Sequence, residues 1–136
     1  MAETGSRTVI GKIGRVSVPV SDQDAAIAFY TEKLGFELTS DIPVNEGYRW
    51  VEVTPPGGGT PLAIVPPPPS AQDRIGIDTN VLLTTDDIDA AHAELRDRGV
   101  DVDPEVSRMG DPVPPMFWFR DQDGNTLLLV QTPEDQ

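Results

Sequence analysis

The stretch that decides the fold is VSVPVSDQDAA at residues 16–26, because a similar stretch, VLLTTDDIDAA, follows 65 residues later at residues 81–91. In each copy an apolar, β-branched run leads into an Asp-x-Asp-Ala-Ala motif, at residues 22–26 and 87–91. Such a run favours a strand, and an aspartate placed before an amphipathic segment favours the N-terminal cap of a helix. The repeat therefore predicts a strand followed by a helix, twice over.

Each predicted helix stops at a glycine, Gly35 in the first copy and Gly99 in the second. Glycine is the common C-terminal stop because it tolerates a positive φ. Three strand-like runs then follow in each half, which gives a β-α-β-β-β module twice. These runs are 36–42, 47–54 and 60–65 in the first half, and 100–106, 115–120 and 126–131 in the second.

The repeat also predicts how the chain is divided. The predicted segments are a flexible N-terminal segment (1–12), a first module (13–65), a proline-rich linker (66–77), a second module (78–131) and a polar tail (132–136). A module of about 60 residues is too small to bury one face of a sheet alone. The two modules are therefore expected to pack as one pseudo-symmetric unit.

The composition limits the chemistry and the partners of the chain. Its 136 residues include no cysteine and a single histidine, which excludes disulfides, thiolate metal sites and a histidine-rich metal centre. Acidic residues outnumber basic ones by 23 to 10, so the net charge is −13. Such a surface repels phosphate backbones and anionic lipids, and we expect no nucleic-acid or membrane partner.

The location is also predicted from composition. Residues 1–12 lack the apolar core of a signal peptide, and no run of 18 apolar residues occurs in the chain. These features favour a cytoplasmic protein.

The sequence resembles the vicinal-oxygen-chelate superfamily, which includes glyoxalase I, extradiol dioxygenases, fosfomycin-resistance enzymes and bleomycin-resistance proteins. The similar segments are residues 20–26, 29–30, 34–36, 86–91 and 119–125. The resemblance implies an α+β fold, in which two βαβββ modules in a pseudo-two-fold repeat form a curved mixed sheet around a cleft. It also implies a homodimer, with each cleft built by the modules of one chain or of two.

The resemblance further implies four positions for the ligands of a divalent metal. They fall at Arg15, Ala63, Asn80 and Leu128. A catalytic metal needs imidazole, carboxylate or several oxygen ligands, whereas Arg15 brings a positive charge. We therefore expect no metal and no cofactor.

The remaining polar candidates point to no catalytic residue. His92 is expected at the surface or boundary of the second helix. Glu46 and Glu52 flank the third strand, and both are expected on a solvated face or at a strand end.

Strand alternation places Met116, Trp118 and Arg120 on one face, opposite Phe117 and Phe119. The resemblance to extradiol dioxygenases implies that Trp118 lines the cleft with Met116 nearby; the alternative is an ordinary core tryptophan.

For Trp50 two positions remain possible, one in the cleft and one in the core. The 65-residue offset makes Val53 the counterpart of Trp118 and turns Trp50 away from the cleft, whereas a bulge near the following turn reverses this.

Together these features predict a metal-independent protein that binds and sequesters a bulky, aromatic, largely apolar small molecule such as an antibiotic. An aromatic cleft suits a planar ring, and the acidic charge disfavours small anions. The predicted ligand-binding residues are Trp118, Met116, Trp50, Arg15, Asn80, Leu128 and Ala63.

Three alternatives remain. The first is a glyoxalase- or dioxygenase-like enzyme, such as a lyase, isomerase or thiol transferase, that works without the standard metal. The second is a metalloenzyme whose ligands have moved to residues such as Glu46 or Glu52. The third is a dimeric scaffold with no small-molecule ligand.

Overall fold

Both copies of the repeated motif fold as a strand followed by a helix in the computed structural model, which describes residues 9–132. Each motif is followed by three further strands. The first half contains β1 (Val16–Pro19), α1 (Gln23–Ala28), β2 (Glu37–Asn45), β3 (Tyr48–Thr54) and β4 (Leu62–Val65). The second half contains β5 (Asp78–Thr85), α2 (Ile88–Asp97), β6 (Asp101–Val102), β7 (Met116–Arg120) and β8 (Thr126–Gln131).

The repeated aspartates cap the two helices as the motif predicts. The Asp22 carboxylate accepts a hydrogen bond from the Asp24 N–H at 2.9 Å, and the Asp87 carboxylate accepts one from the Ala90 N–H at 3.1 Å. α1 continues as a π-helical turn over Phe29–Lys33 before the chain reverses at Gly35, where φ is +78°. These local signals fix the start and the end of each helix.

The strands form two four-stranded mixed sheets, in the orders β1-β4-β3-β2 and β5-β8-β7-β6. β1 is parallel to β4 and β5 is parallel to β8, while the other neighbours are antiparallel. The predicted α+β class and the two βαβββ modules are confirmed.

Two predicted strands differ in length from those observed. β6 covers only Asp101–Val102 of the predicted run 100–106, because the chain then leaves the sheet as a loop that rejoins it through a bridge between Ser107 and Met116. β2 extends past residue 42 to Asn45, paired with β3.

The predicted end segments lie partly outside the described residues. Residues 1–8 of the N-terminal segment and residues 133–136 of the tail lie outside the described residues. Residues 9–12 form no helix or strand. The linker holds a short 3-10 helix, Pro69–Arg74. None of the helices within residues 9–132 has the length and apolarity needed to span a bilayer.

One hydrophobic core joins the two modules. Each sheet turns one face, its inner face, toward the helices, and the inner faces of both sheets belong to the same buried cluster. Its fully buried members include Val18, Val51, Val53 and Ile64 from the first module, and Ile88, Phe117, Phe119 and Leu127 from the second. The helix-covered side of each module is therefore closed by the other module.

The two modules are also joined by a buried polar contact. The Tyr30 hydroxyl, in the π-helical turn that follows α1, donates to Asp121 Oδ2 in the turn between β7 and β8 at 2.8 Å. Asn125 Nδ2 donates to the same carboxylate oxygen at 2.9 Å and to the Pro19 carbonyl at 2.8 Å. Burial, followed by the negative charge of Asp121, raises the pKa of Tyr30 well above its usual value, so the phenol remains a donor.

We expect Tyr30→Phe to lower the free energy of unfolding by about 1–3 kcal/mol, because it removes a buried hydrogen bond to a charged group. Urea denaturation measures this loss. The matched control is Tyr48→Phe, since the half-buried Tyr48 side chain makes no hydrogen bond through its hydroxyl within residues 9–132. Equal stability losses in the two variants would show that the Tyr30–Asp121 bond does not join the modules.

Candidate functional site

The outer face of the second sheet, opposite the shared core, has an apolar part and a charged end. We call the apolar part the C-terminal outer face; its residues are Leu82, Met116, Trp118, Leu128 and Val130. Further along β7, Arg120 lies on the same side of the sheet and is ion-paired with Asp101 and Asp103. Trp118 pairs with Leu128 across β7 and β8, and Met116 pairs with Val130. The Leu82 side chain, beside Leu128, is 60% exposed. Because Phe117 and Phe119 fill the core, the pleat directs Trp118 and Met116 outward.

The outer face of the first sheet carries a different set of residues. We call it the N-terminal outer face; its residues are Ser17, Trp50, Glu52 and Ala63, with Arg15 just before β1. Ala63 pairs with Ser17 on β1 and with Glu52 on β3.

The sheet register settles the orientation of Trp50. Glu52 pairs with Ala63, 11 positions later, whereas Trp118 pairs with Leu128, 10 positions later. Between equivalent paired positions, the chain from β3 to β4 is thus one residue longer than the chain from β7 to β8. The counterpart of Trp118 is therefore Glu52 and not Val53, and Trp50 lies on the N-terminal outer face.

Glu52 organises the polar groups of the N-terminal outer face. Its Oε2 accepts a hydrogen bond from Trp50 Nε1 at 2.5 Å and another from Arg15 Nε. The hydrogen bond from Trp50, followed by that from Arg15, lowers the pKa of Glu52, so the carboxylate is charged at neutral pH. The prediction of a solvated Glu52 is wrong, because these two partners hold the residue at 7% exposure. Glu46 lies exposed in the turn between β2 and β3, as predicted.

The residues at the family's metal positions do not fit a metal. The Arg15 guanidinium donates to Glu52, and the side chains of Ala63 and Leu128 contain only carbon. Asn80 is the one of these four residues with a side-chain oxygen, and a single amide oxygen is too few ligands for a metal. It lies in an irregular part of β5, where its φ is +60°. Within residues 9–132 no three His, Asp or Glu side chains are grouped so that they would hold a metal ion.

His92 is a core residue, and its predicted place at the helix surface or boundary is wrong. The residue is 7% exposed, and its ring packs edge-on against Phe117 with centroids 4.8 Å apart. Nε2 lies 2.6 Å from the Asp103 carbonyl oxygen. This aromatic contact and this hydrogen bond draw the imidazole into the core.

The predicted ligand-binding residues fall into two groups. Arg15, Trp50 and Ala63 lie on the first sheet, and Met116, Trp118 and Leu128 lie on the second. Both sheets turn their inner faces to the shared core, so each outer face is directed away from that core. Within residues 9–132 no strand pairing joins the first sheet to the second.

The seventh residue, Asn80, lines a different space. A cavity of about 670 Å³ lies between the modules, against core residues such as Leu62, Leu95 and Phe119. Asn80 and Leu82 on β5 also line it.

Two further residues of these faces, Glu52 and Leu82, were not among the predicted ligand-binding residues. With 23 acidic residues in the chain, composition does not single out Glu52. The face on which it lies depends on the length of the turn that follows β3. Leu82 follows from alternation along β5 once its pairing with Leu128 is known.

The chain matches a known protein family over most of its length. The family model for the Glyoxalase/Bleomycin resistance protein/Dioxygenase superfamily matches residues 12–129. The chain is 39% identical to TnmS3, an antibiotic binding protein from Streptomyces sp. CB03234, with a TM-score of 0.76 over 92% of this chain and 98% of that one.

Two further relatives cover nearly the whole chain. A glyoxalase/bleomycin resistance protein from Streptomyces sp. CB03234 is 40% identical, with a TM-score of 0.72 over 88% of this chain and 100% of that one. YetH of Bacillus subtilis (strain 168) is 32% identical over 128 residues, which are 90% of this chain and 100% of YetH.

The bond between Trp50 and Glu52 predicts an optical pH transition. In Trp118→Phe, Trp50 is the sole tryptophan, and its emission should change as Glu52 gains a proton. The midpoint should lie below 4.5, the ordinary value, because the hydrogen bonds from Trp50 and Arg15 lower the pKa. The stability that the charged form contributes is present above the unfolded pKa and is lost as the pH falls through the folded one.

Fluorescence titration of folded protein, checked by circular dichroism, measures this midpoint. The same transition should be missing from the double variant Trp118→Phe/Glu52→Gln. A midpoint at or above 4.5 would contradict the hydrogen-bonded arrangement.

Proposed function

Because the chain belongs to the glyoxalase/bleomycin resistance protein/dioxygenase superfamily, we propose that it is a metal-independent binding protein that sequesters a planar, aromatic, largely apolar small molecule such as an antibiotic. One observation carries the proposal. Trp118 and Leu128 are paired on an apolar outer face, and Leu128 occupies a position at which the family resemblance implies a metal ligand. This face offers stacking and apolar contact, and no donor for a metal.

The comparison with TnmS3 supports the same proposal. TnmS3 is described as an antibiotic binding protein, and its 39% identity extends over nearly the whole of both chains. The half-buried Trp118 ring offers a π-face to a planar ligand, and the flexible Met116 beside it adapts to the ligand's outline.

The binding cleft is formed by two copies of the chain in this proposal. Small-molecule pockets bury most of their ligand, whereas each outer face here is open on one side. A homodimer would place the N-terminal outer face of one copy against the C-terminal outer face of the other, and two-fold symmetry would create two equal clefts. It would also cover Leu82, which is 60% exposed in the single chain. A cytoplasmic location, where a sequestering protein meets its ligand before an intracellular target does, belongs to the same proposal.

Native mass spectrometry of protein purified from its own host tests the proposal directly. We expect a dimer without stoichiometric divalent metal, carrying an organic adduct or able to take one up. A stoichiometric divalent metal would contradict the proposal and direct attention to glyoxalase and dioxygenase chemistry. A monomer that takes up no planar aromatic compound would contradict both the cleft and its ligand.

Trp118→Ala should weaken binding of acridone, an uncharged planar ketone, by about 1–3 kcal/mol, because stacking on an aromatic side chain contributes that much. Fluorescence anisotropy of acridone measures the affinity, and thermal melting checks the fold. Gln72→Ala, in the linker helix, is the control and should leave binding unchanged. Unchanged affinity together with a lower melting temperature would instead place Trp118 in a structural role.

A further inference from the structure

The N-terminal outer face holds an ion pair next to uncharged side chains. Arg15 and Glu52 carry the charges, whereas their neighbours Ser17, Trp50 and Ala63 carry none. The two charged side chains differ in depth, because the Arg15 side chain is 54% exposed and the Glu52 side chain is 9% exposed. The guanidinium thus faces the open side of this face, and the carboxylate lies beneath it.

The guanidinium uses only part of its donor capacity. Glu52 accepts from Arg15 Nε, and within residues 9–132 neither Nη nitrogen of Arg15 makes a hydrogen bond. Arginine carries five N–H donors in a planar fork, so four donors remain for a ligand. A carbonyl or ether oxygen on a bound molecule is the group that these donors suit.

The carboxylate changes the charge that such a ligand meets. With Glu52 ionised, the pair has no net charge, although the donors of Arg15 remain. A neutral acceptor oxygen gains the hydrogen bond at no electrostatic penalty. A carboxylate on the ligand also approaches Glu52 Oε2, and in a cleft that excludes water this repulsion offsets its attraction to Arg15.

We infer that Glu52 determines the charge selectivity of the proposed site, so that the site prefers uncharged planar ligands with an acceptor oxygen over anionic ones. The inference rests on the proposed function. Glu52 acts here through Arg15 and is a positioning residue, since its carboxylate also holds the indole of Trp50.

The test compares two probes of equal ring size, acridone and acridone-4-carboxylate. Glu52→Gln keeps the length of the side chain and an oxygen that accepts from Trp50, but removes the negative charge. In this variant the ratio of the affinity for acridone-4-carboxylate to the affinity for acridone should be about tenfold higher than in the wild type. Fluorescence anisotropy at fixed ionic strength measures both affinities, since salt screens exposed charges.

Glu46→Gln is the matched control. It changes the net charge of the protein by the same amount, but at an exposed turn. The ratio of the two affinities should stay within about twofold of the wild-type ratio. Equal shifts in the Glu46 and Glu52 variants would overturn the inference, because the overall charge of −13 would then explain the selectivity.

Arg15→Gln tests the same inference without a change at a buried position. It leaves Glu52 charged and unbalanced, so acridone-4-carboxylate should lose at least tenfold more affinity than acridone. An unchanged ratio overturns the inference even if Glu52→Gln fails to fold. Wild-type protein that binds neither probe would overturn the proposed function as well; binding of acridone with no shift in either variant would overturn the inference alone.

Discussion

The hydrogen bond between Tyr30 and Asp121 is the contact on which the arrangement of the two modules depends. A buried carboxylate is tolerated only where donors surround it, and Asp121, which is 6% exposed, accepts from the Tyr30 hydroxyl, from the Asn125 amide and from two backbone N–H groups. Tyr30 comes from the first module and the other donors from the second. The bond therefore adds a directional contact to the hydrophobic core that the inner faces of the two sheets share, and both outer faces are directed away from that core.

The secondary structure and the fold class were predictable because they depend on local signals. Asp22 and Asp87 cap their helices in the structure as the repeated motif predicts, and Gly35 adopts the positive φ of a helix stop. The fate of residues 103–106 was not predictable, because their apolar and polar pattern does not reveal that the chain leaves the sheet after Val102. Local propensity determines where an element begins, whereas its length depends on the neighbours that it finds.

The candidate site was less predictable, because it depends on register and on packing between modules. One additional residue between the paired positions of β3 and β4 decides the face of Trp50, which the sequence left open, and it places Glu52 beside two hydrogen-bonding partners. Alternation along β7 did place Trp118 and Met116 on one face. The sequence left open whether one chain or two would build a cleft, since the side on which two modules meet is a property of tertiary packing.

The additional residue in the first turn has a consequence for molecular symmetry. Duplicated modules that kept the same side chains at equivalent positions would bind a flat molecule equally well after a half-turn. Here the equivalent positions hold Glu52 in one module and Trp118 in the other. The two walls of an assembled cleft would then differ, one ionic and the other aromatic. A guest molecule would have a defined head and tail, so a protein built by duplication would discriminate between regioisomers that share one outline.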